Sequence, residues 1–262
     1  MTAAFRVFFV GGRISYHALF NWIRPGMYVA TMLGSPLFQI LFFTYLGRYA
    51  TNLDDDFFIV GNAVQVSAMA GIYGMVMGIA NERWYGTLSP LLATPANRLA
   101  LFGGRALPFI ANGLVVSAFG FAVGWVFLDF SPAPGSLPAL AAVVTVTVAS
   151  CTALGMLVGS IGLRARDVFF AANLVYFVML LVCGVNVPVD ELPPWLEWIA
   201  NKLPMTHGIE AAREIADGAS LADVSDLVAT EALIGAAYAV AAYALFRLFE
   251  HEGRRRGSLE TF

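Results

Sequence analysis

The chain has 262 residues, 59% of them hydrophobic and only 13% charged, with a formal net charge of -3 and a mean hydropathy of +0.73. Soluble domains carry roughly 25% charged residues, so a deficit this large excludes an ordinary water-covered globule and points to a surface that meets lipid. The mildly acidic balance and a pI of about 5.6 argue against nucleic acid as a partner.

In chain order, residues 1–26 read as an amphipathic interface helix. Phe5, Phe8, Phe9, Phe20 and Trp22 offer apolar contact, while Arg6 and Arg13 reach headgroups. The same arginines, with His17 and Asn21, interrupt any apolar core of the kind a cleavable signal needs. A helix that crosses the hydrocarbon layer needs about 20 mostly apolar residues. Five charge-free runs meet that length, at 27–47, 57–80, 106–128, 137–163 and 168–189. A sixth run, 227–246, carries Glu231 close enough to one end to sit among headgroups, with a pore-facing carboxylate as the alternative. Pro36 and Pro108 predict kinks. Cys151 and Cys183 lie apart in apolar stretches and read as small buried hydrophobes. The fold class is therefore an all-α membrane protein of six transmembrane helices in one domain, 1–262.

Orientation follows from the basic residues. Arg6, Arg13, Arg24, Arg83, Arg98, Arg105, Arg164, Arg166, Arg247, Arg254, Arg255 and Arg256 fall on one side, against Arg48, Lys202 and Arg213 on the other. The positive-inside rule makes the first side cytoplasmic, so both termini, including the tail 250–262, are expected in the cytoplasm of a cell (inner) membrane protein. Between the fifth and sixth runs, Trp195 and Trp198 suit the outer interface, and the segment reads either as two short helices that dip into the outer leaflet, broken at Leu203-Pro204, or as an ordinary exposed loop.

Motifs for catalysis are missing. His17, His207 and His251 lie in separate segments, so neither a metal set nor a histidine-centred dyad forms. Lys202 is the sole lysine and no G-x-x-x-x-G-K-[ST] loop surrounds it, which rules out nucleotide binding through a P-loop. The more informative stretch is the loop after the second run, Asn81 to Arg98. Ser89 can cap a short helix that starts at Pro90, and Pro95 ends it. Leu88, Leu91 and Leu92 would then be exposed for docking into a groove on another protein, or the stretch forms a plain turn.

The run from Glu82 through Gly86-Thr87-Leu88 to Ala93-Thr94-Pro95 resembles the hallmark of type-2 ABC exporter permeases. Leu203-Pro204-Met205-Thr206-His207, followed by Ala211 to Glu214, is similar to that family's segment before the last helix. The resemblance implies a subunit without enzymatic activity of its own. It implies a second permease, identical or homologous, and a separate cytoplasmic ABC ATPase that binds ATP and magnesium, so that this chain holds no cofactor. It also implies a coupling helix that uses Glu82, Arg83, Gly86, Thr87, Leu88, Leu91, Pro95 and Arg98. Substrate would pass between the two permeases beside the second and fifth spans.

Two stripes at helical spacing fit such a passage. Asn62, Gln65, Met69 and Tyr73 share one face of the second run, and Asn173, Tyr176, Leu180 and Cys183 share one face of the fifth. Polar groups facing lipid are costly, so the stripes face protein or a cavity. They serve either substrate contact or interhelical hydrogen bonds. Their mix of aromatic, thioether and amide groups without charge suits an amphipathic drug-like, lipid or glycan substrate. A secondary transporter would call for ionisable residues at mid-membrane, and a membrane anchor for a cytoplasmic complex would use the 82–98 surface without any pathway.

Overall fold

A computed structural model describes residues 6, 8–13, 33–86, 98–133, 135–162 and 168–256. Among them there is no strand. The helices are α1 (Gly34–Ala50), α2 (Asp55–Trp84), α3 (Arg98–Phe127), α4 (Leu137–Gly162), α5 (Val168–Val182), α6 (Pro194–Ala200), α7 (Thr206–Ala216) and α8 (Ser225–Arg256). A 3-10 turn, Val189–Glu191, precedes α6.

Four of these contain stretches long and apolar enough to cross a membrane: Asp55–Glu82, Gly103–Phe127, Leu137–Ile161 and Ser225–Leu248. They correspond to the second, third, fourth and sixth runs. α1 covers the C-terminal part of the first run, and residues 27–32 lie outside the described region, as do 14–26 of the expected interface helix. α5 is shorter than its run. Its 15 residues reach about 22 Å at 1.5 Å each, and it ends at Val182 instead of continuing to residue 189. Gly184, at φ 76°, turns the chain out of the helix, and Pro188 keeps it extended. α3 and α8 overrun their expected limits, α3 taking in residues 98–105 and α8 reaching Arg256. Pro108 lies inside α3, and Pro36 falls in the first described turn of α1.

α2 and α4 form the centre, with α3 and α8 packed on them. Small residues make the close crossings, as expected where lipid gives helices little hydrophobic reason to associate. A Cβ on Gly155 of α4 would lie 2.8 Å from the backbone of Ile72 in α2, and one on Gly113 of α3 would lie 2.9 Å from the Ser67 carbonyl. The core around these crossings holds Ile59, Val64, Ile72, Val76, Val144, Val148 and Leu154. Outward faces are apolar: Phe38 and Phe42 on α1, Phe170 and Phe177 on α5, and Leu233 and Val240 on α8 are all more than half exposed, which suits acyl chains.

The segment before α8 forms two short helices, as its proline break predicts, with the join at residues 201–205. α7 is the inner of the two. Its start is held from outside: Glu231 on α8, only 1% exposed, accepts the N–H of Met205 at 2.8 Å and that of Gly208 at 3.2 Å. The expectation of a headgroup-facing or pore-facing Glu231 is thereby corrected. A carboxylate at a helix N-terminus meets unpaired donors and the positive end of the dipole, and that compensates burial. Gly208 itself lies against Thr147 of α4, which leaves no space for a side chain.

Candidate functional site

The two predicted stripes meet. On α2, Asn62 and Gln65 are wholly buried and Met69 nearly so, while Tyr73 is half-buried; on α5, Asn173 is exposed and Tyr176 half-buried. Tyr73 donates its hydroxyl to Asn173 Oδ1 at 2.9 Å, and the Tyr73 and Tyr176 rings lie 6.5 Å apart. At the other end of the seam, Asn62 donates Nδ2 to Asn186 Oδ1 at 2.8 Å and to the Phe58 carbonyl at 2.9 Å.

Two residues of this network lay outside the expected stripes. Gln39 of α1 donates Nε2 to Asn62 Oδ1 at 3.0 Å and to Gln65 Oε1 at 2.7 Å, and its own Oε1 accepts the Tyr176 hydroxyl at 3.1 Å. Asn186 belongs to the irregular stretch after α5. One signal pointed to Gln39, the sole amide in the first apolar run. The seam therefore joins α1, α2 and α5 through neutral groups only. Toward Phe58, Asn62 is held by Gln39 and Asn186, while Gln65 accepts from Gln39 and keeps its Nε2 buried without a partner; toward Tyr73 and Asn173 the seam becomes accessible.

The second predicted site lies where α2 ends. Glu82 accepts from Arg105 Nη1 of α3 at 2.6 Å, with both side chains about one-fifth exposed. Trp84 meets Phe169 of α5 with ring centroids 5.9 Å apart, and Trp84 and Tyr85 are each 62% exposed. Gly86 takes φ 66° with open space around it, a backbone shape that suits glycine. Arg83 belongs to α2, and Arg98 opens α3. Thr87, Leu88, Leu91 and Pro95 lie outside the described residues. Arg105, known from the sequence as one positive charge among twelve, is what Glu82 faces. Just before Arg105, Phe8 packs on Gly103 and Gly104, where a Cβ on Gly104 would run into the Phe8 carbonyl.

No group of three or more potential metal ligands occurs among the described residues. Cys151 and Cys183 are free and buried.

The described residues thus form an apolar helical bundle with a neutral polar seam inside it. Residues 15–216 match the family ABC-2 type transporter, and the chain belongs to it. It is 27% identical over 202 residues to "Probable multidrug ABC transporter permease YbhR" of Escherichia coli K12, covering 76% of this chain and 54% of that protein. It is 24% identical over 219 residues to "Daunorubicin resistance ABC transporter permease protein DrrB1" of Streptomyces coeruleorubidus, covering 81% and 77%. It is 24% identical over 204 residues to "Inner membrane transport permease YhhJ" of Escherichia coli K12, covering 76% and 54%. The chain spans about half the length of the two Escherichia coli relatives.

Proposed function

We propose that this membrane protein is the permease subunit of an ATP-driven exporter of amphipathic, drug-like molecules. It pairs with a second permease and docks a separate cytoplasmic ABC ATPase, which binds the ATP and magnesium, through the 82–98 loop. In this reading the chain crosses the membrane six times, both termini lie in the cytoplasm, and the Glu82 end of α2 is the cytoplasmic one. The arginine-rich loops on that side support the orientation.

The observation that carries this proposal is the seam itself, in a chain of this family. Its uncharged amide and aromatic groups recognise a molecule with polar and apolar parts; Asn173 is exposed, and Tyr73, Tyr176, Gln39 and Asn186 are half-buried. The words multidrug in the name of YbhR and daunorubicin resistance in that of DrrB1 support a drug-like substrate.

The test is co-expression with an ABC ATPase encoded beside this chain, reconstitution into vesicles, and measurement of ATP-dependent daunorubicin movement. Export that falls several-fold in Tyr73→Ala and Asn173→Ala, with normal yields of folded protein, supports the seam as the passage. Full transport by the lone chain without an ATPase would sink the reading.

A further inference from the structure

Arg213, on α7, is placed to do more than decorate a surface helix. It donates Nε and Nη2 to the Phe57 carbonyl at 3.3 and 3.0 Å, in the first turn of α2. The same Nη2 donates to the carbonyls of Gly184 at 2.8 Å and Val185 at 3.2 Å, just past the end of α5. Its guanidinium carbon lies 3.5 Å from the centre of the Phe57 ring. One planar cation thus joins the start of α2 to the unwound end of α5, supplying donors to the Gly184 and Val185 carbonyls that lie past the last turn of α5 and a further donor to the Phe57 carbonyl. Burial lowers its pKa to about 9, which leaves it charged at neutral pH.

The surroundings are shaped for it. Gly61, one turn along α2, leaves a notch in which a Cβ would lie 2.4 Å from the Val185 carbonyl and 2.7 Å from Arg213 Nη2. α7 itself is fixed from the far side, by Glu231 of α8 at its start and by Gly208 against Thr147 of α4. Arg213 therefore reaches from the α4–α8 body to the two helices that carry the seam. Of these, α2 is packed along its length into the core, whereas α5 presents Phe170, Leu174, Phe177 and Leu181 outward.

We propose that Arg213 is a positioning residue that keeps the seam shut at its Phe57 end, and that the seam opens there when the guanidinium lets go of Gly184 and Val185. As an exit gate this rests on the permease reading; as a clamp on α5 it does not. Directly beneath lies the Asn62–Asn186 bond, so loss of the clamp frees the next link as well.

Two native thiols test it in the purified full-length chain. Cys183 adjoins Gly184, is wholly buried, and directs Sγ at the Pro204 carbonyl 3.9 Å away; Cys151 is wholly buried within α4, a helix to which Arg213 makes none of these bonds. Labelling with a membrane-impermeant maleimide is followed at each thiol by mass spectrometry. In Arg213→Met, Cys183 should react about tenfold faster through local opening while Cys151 stays protected. Arg213→Lys should show a smaller rise, because an ammonium reaches one helix but does not fork across two. Unchanged protection of Cys183 in Arg213→Met overturns the proposal, and so does equal exposure of both thiols, which would make Arg213 a support of the whole bundle. The measurement needs neither ATPase nor substrate. A failed export assay would sink the permease reading and leave the clamp standing.

Discussion

The seam between α2 and α5 is finished differently at its two ends. Near Phe57, Arg213 grips three carbonyls, Asn62 bonds Asn186, Gln39 ties in α1, and Glu231 holds the helix that carries Arg213. Near Glu82, the links between helices that the described residues show include an ion pair to Arg105 and an aromatic contact of Trp84 with Phe169. Buried hydrogen bonds in a low-dielectric interior are costly to break one at a time, whereas a part-exposed ion pair rearranges readily.

Substitutions can break or sharpen the contrast. The largest effect should come from Glu231→Leu, which leaves the Met205 and Gly208 N–H groups without their acceptor. We expect a loss of about 3 kcal/mol, seen as a lowered melting midpoint in detergent, with Glu231→Gln losing roughly half as much because its carbonyl still serves one donor. Next, Gly61→Ala forces a methyl into the notch beside Val185 and should cost about 2 kcal/mol through overpacking. Gly86→Ala, in open space at the other end, should cost about 1 kcal/mol, through its positive φ alone. A Gly86→Ala loss as large as that of Gly61→Ala would erase the distinction between the ends. A double-mutant cycle on Glu82→Gln and Arg105→Gln should give a coupling of about 0.5–1 kcal/mol. Smallest is the exposed Arg48–Asp55 pair linking α1 to α2: Arg48→Gln should leave the melting midpoint unchanged at an ionic strength of about 0.15 M, where screening is effective.

Where a residue type carries its meaning alone, the sequence was readable. The runs at 57–80, 106–128 and 137–163 stand out because a charge-free stretch of bilayer length rarely occurs away from lipid, and Pro204 marks the join between α6 and α7 because proline interrupts helices whatever surrounds it. Pairings across the fold were not readable. Gln39 meets Asn62 over 23 residues, Asn62 meets Asn186 over 124, and Arg213 meets Phe57 over 156. Periodicity along one helix carries no information about such partners. It put Asn62 and Gln65 on a common face with Tyr73 but gave no sign that the first two are buried against Gln39. Glu231 was misplaced for a related reason: a carboxylate near the end of an apolar run looks solvated until a second helix is seen to start against it. The early end of α5 had a local signal in Gly184, overridden by the length of the apolar run.

Glu231 also has a bearing on how the protein is made. The ribosome delivers α6 and α7 before α8, so the donors of Met205 and Gly208 emerge ahead of the carboxylate that satisfies them. Met205, at φ 87°, holds a backbone shape unfavourable to any side chain, and the carboxylate that accepts its N–H arrives only with α8. This corner of the structure is therefore completed when α8 inserts, well after α6 and α7 have emerged. A chain truncated before residue 225 should leave residues 190–224 open to protease.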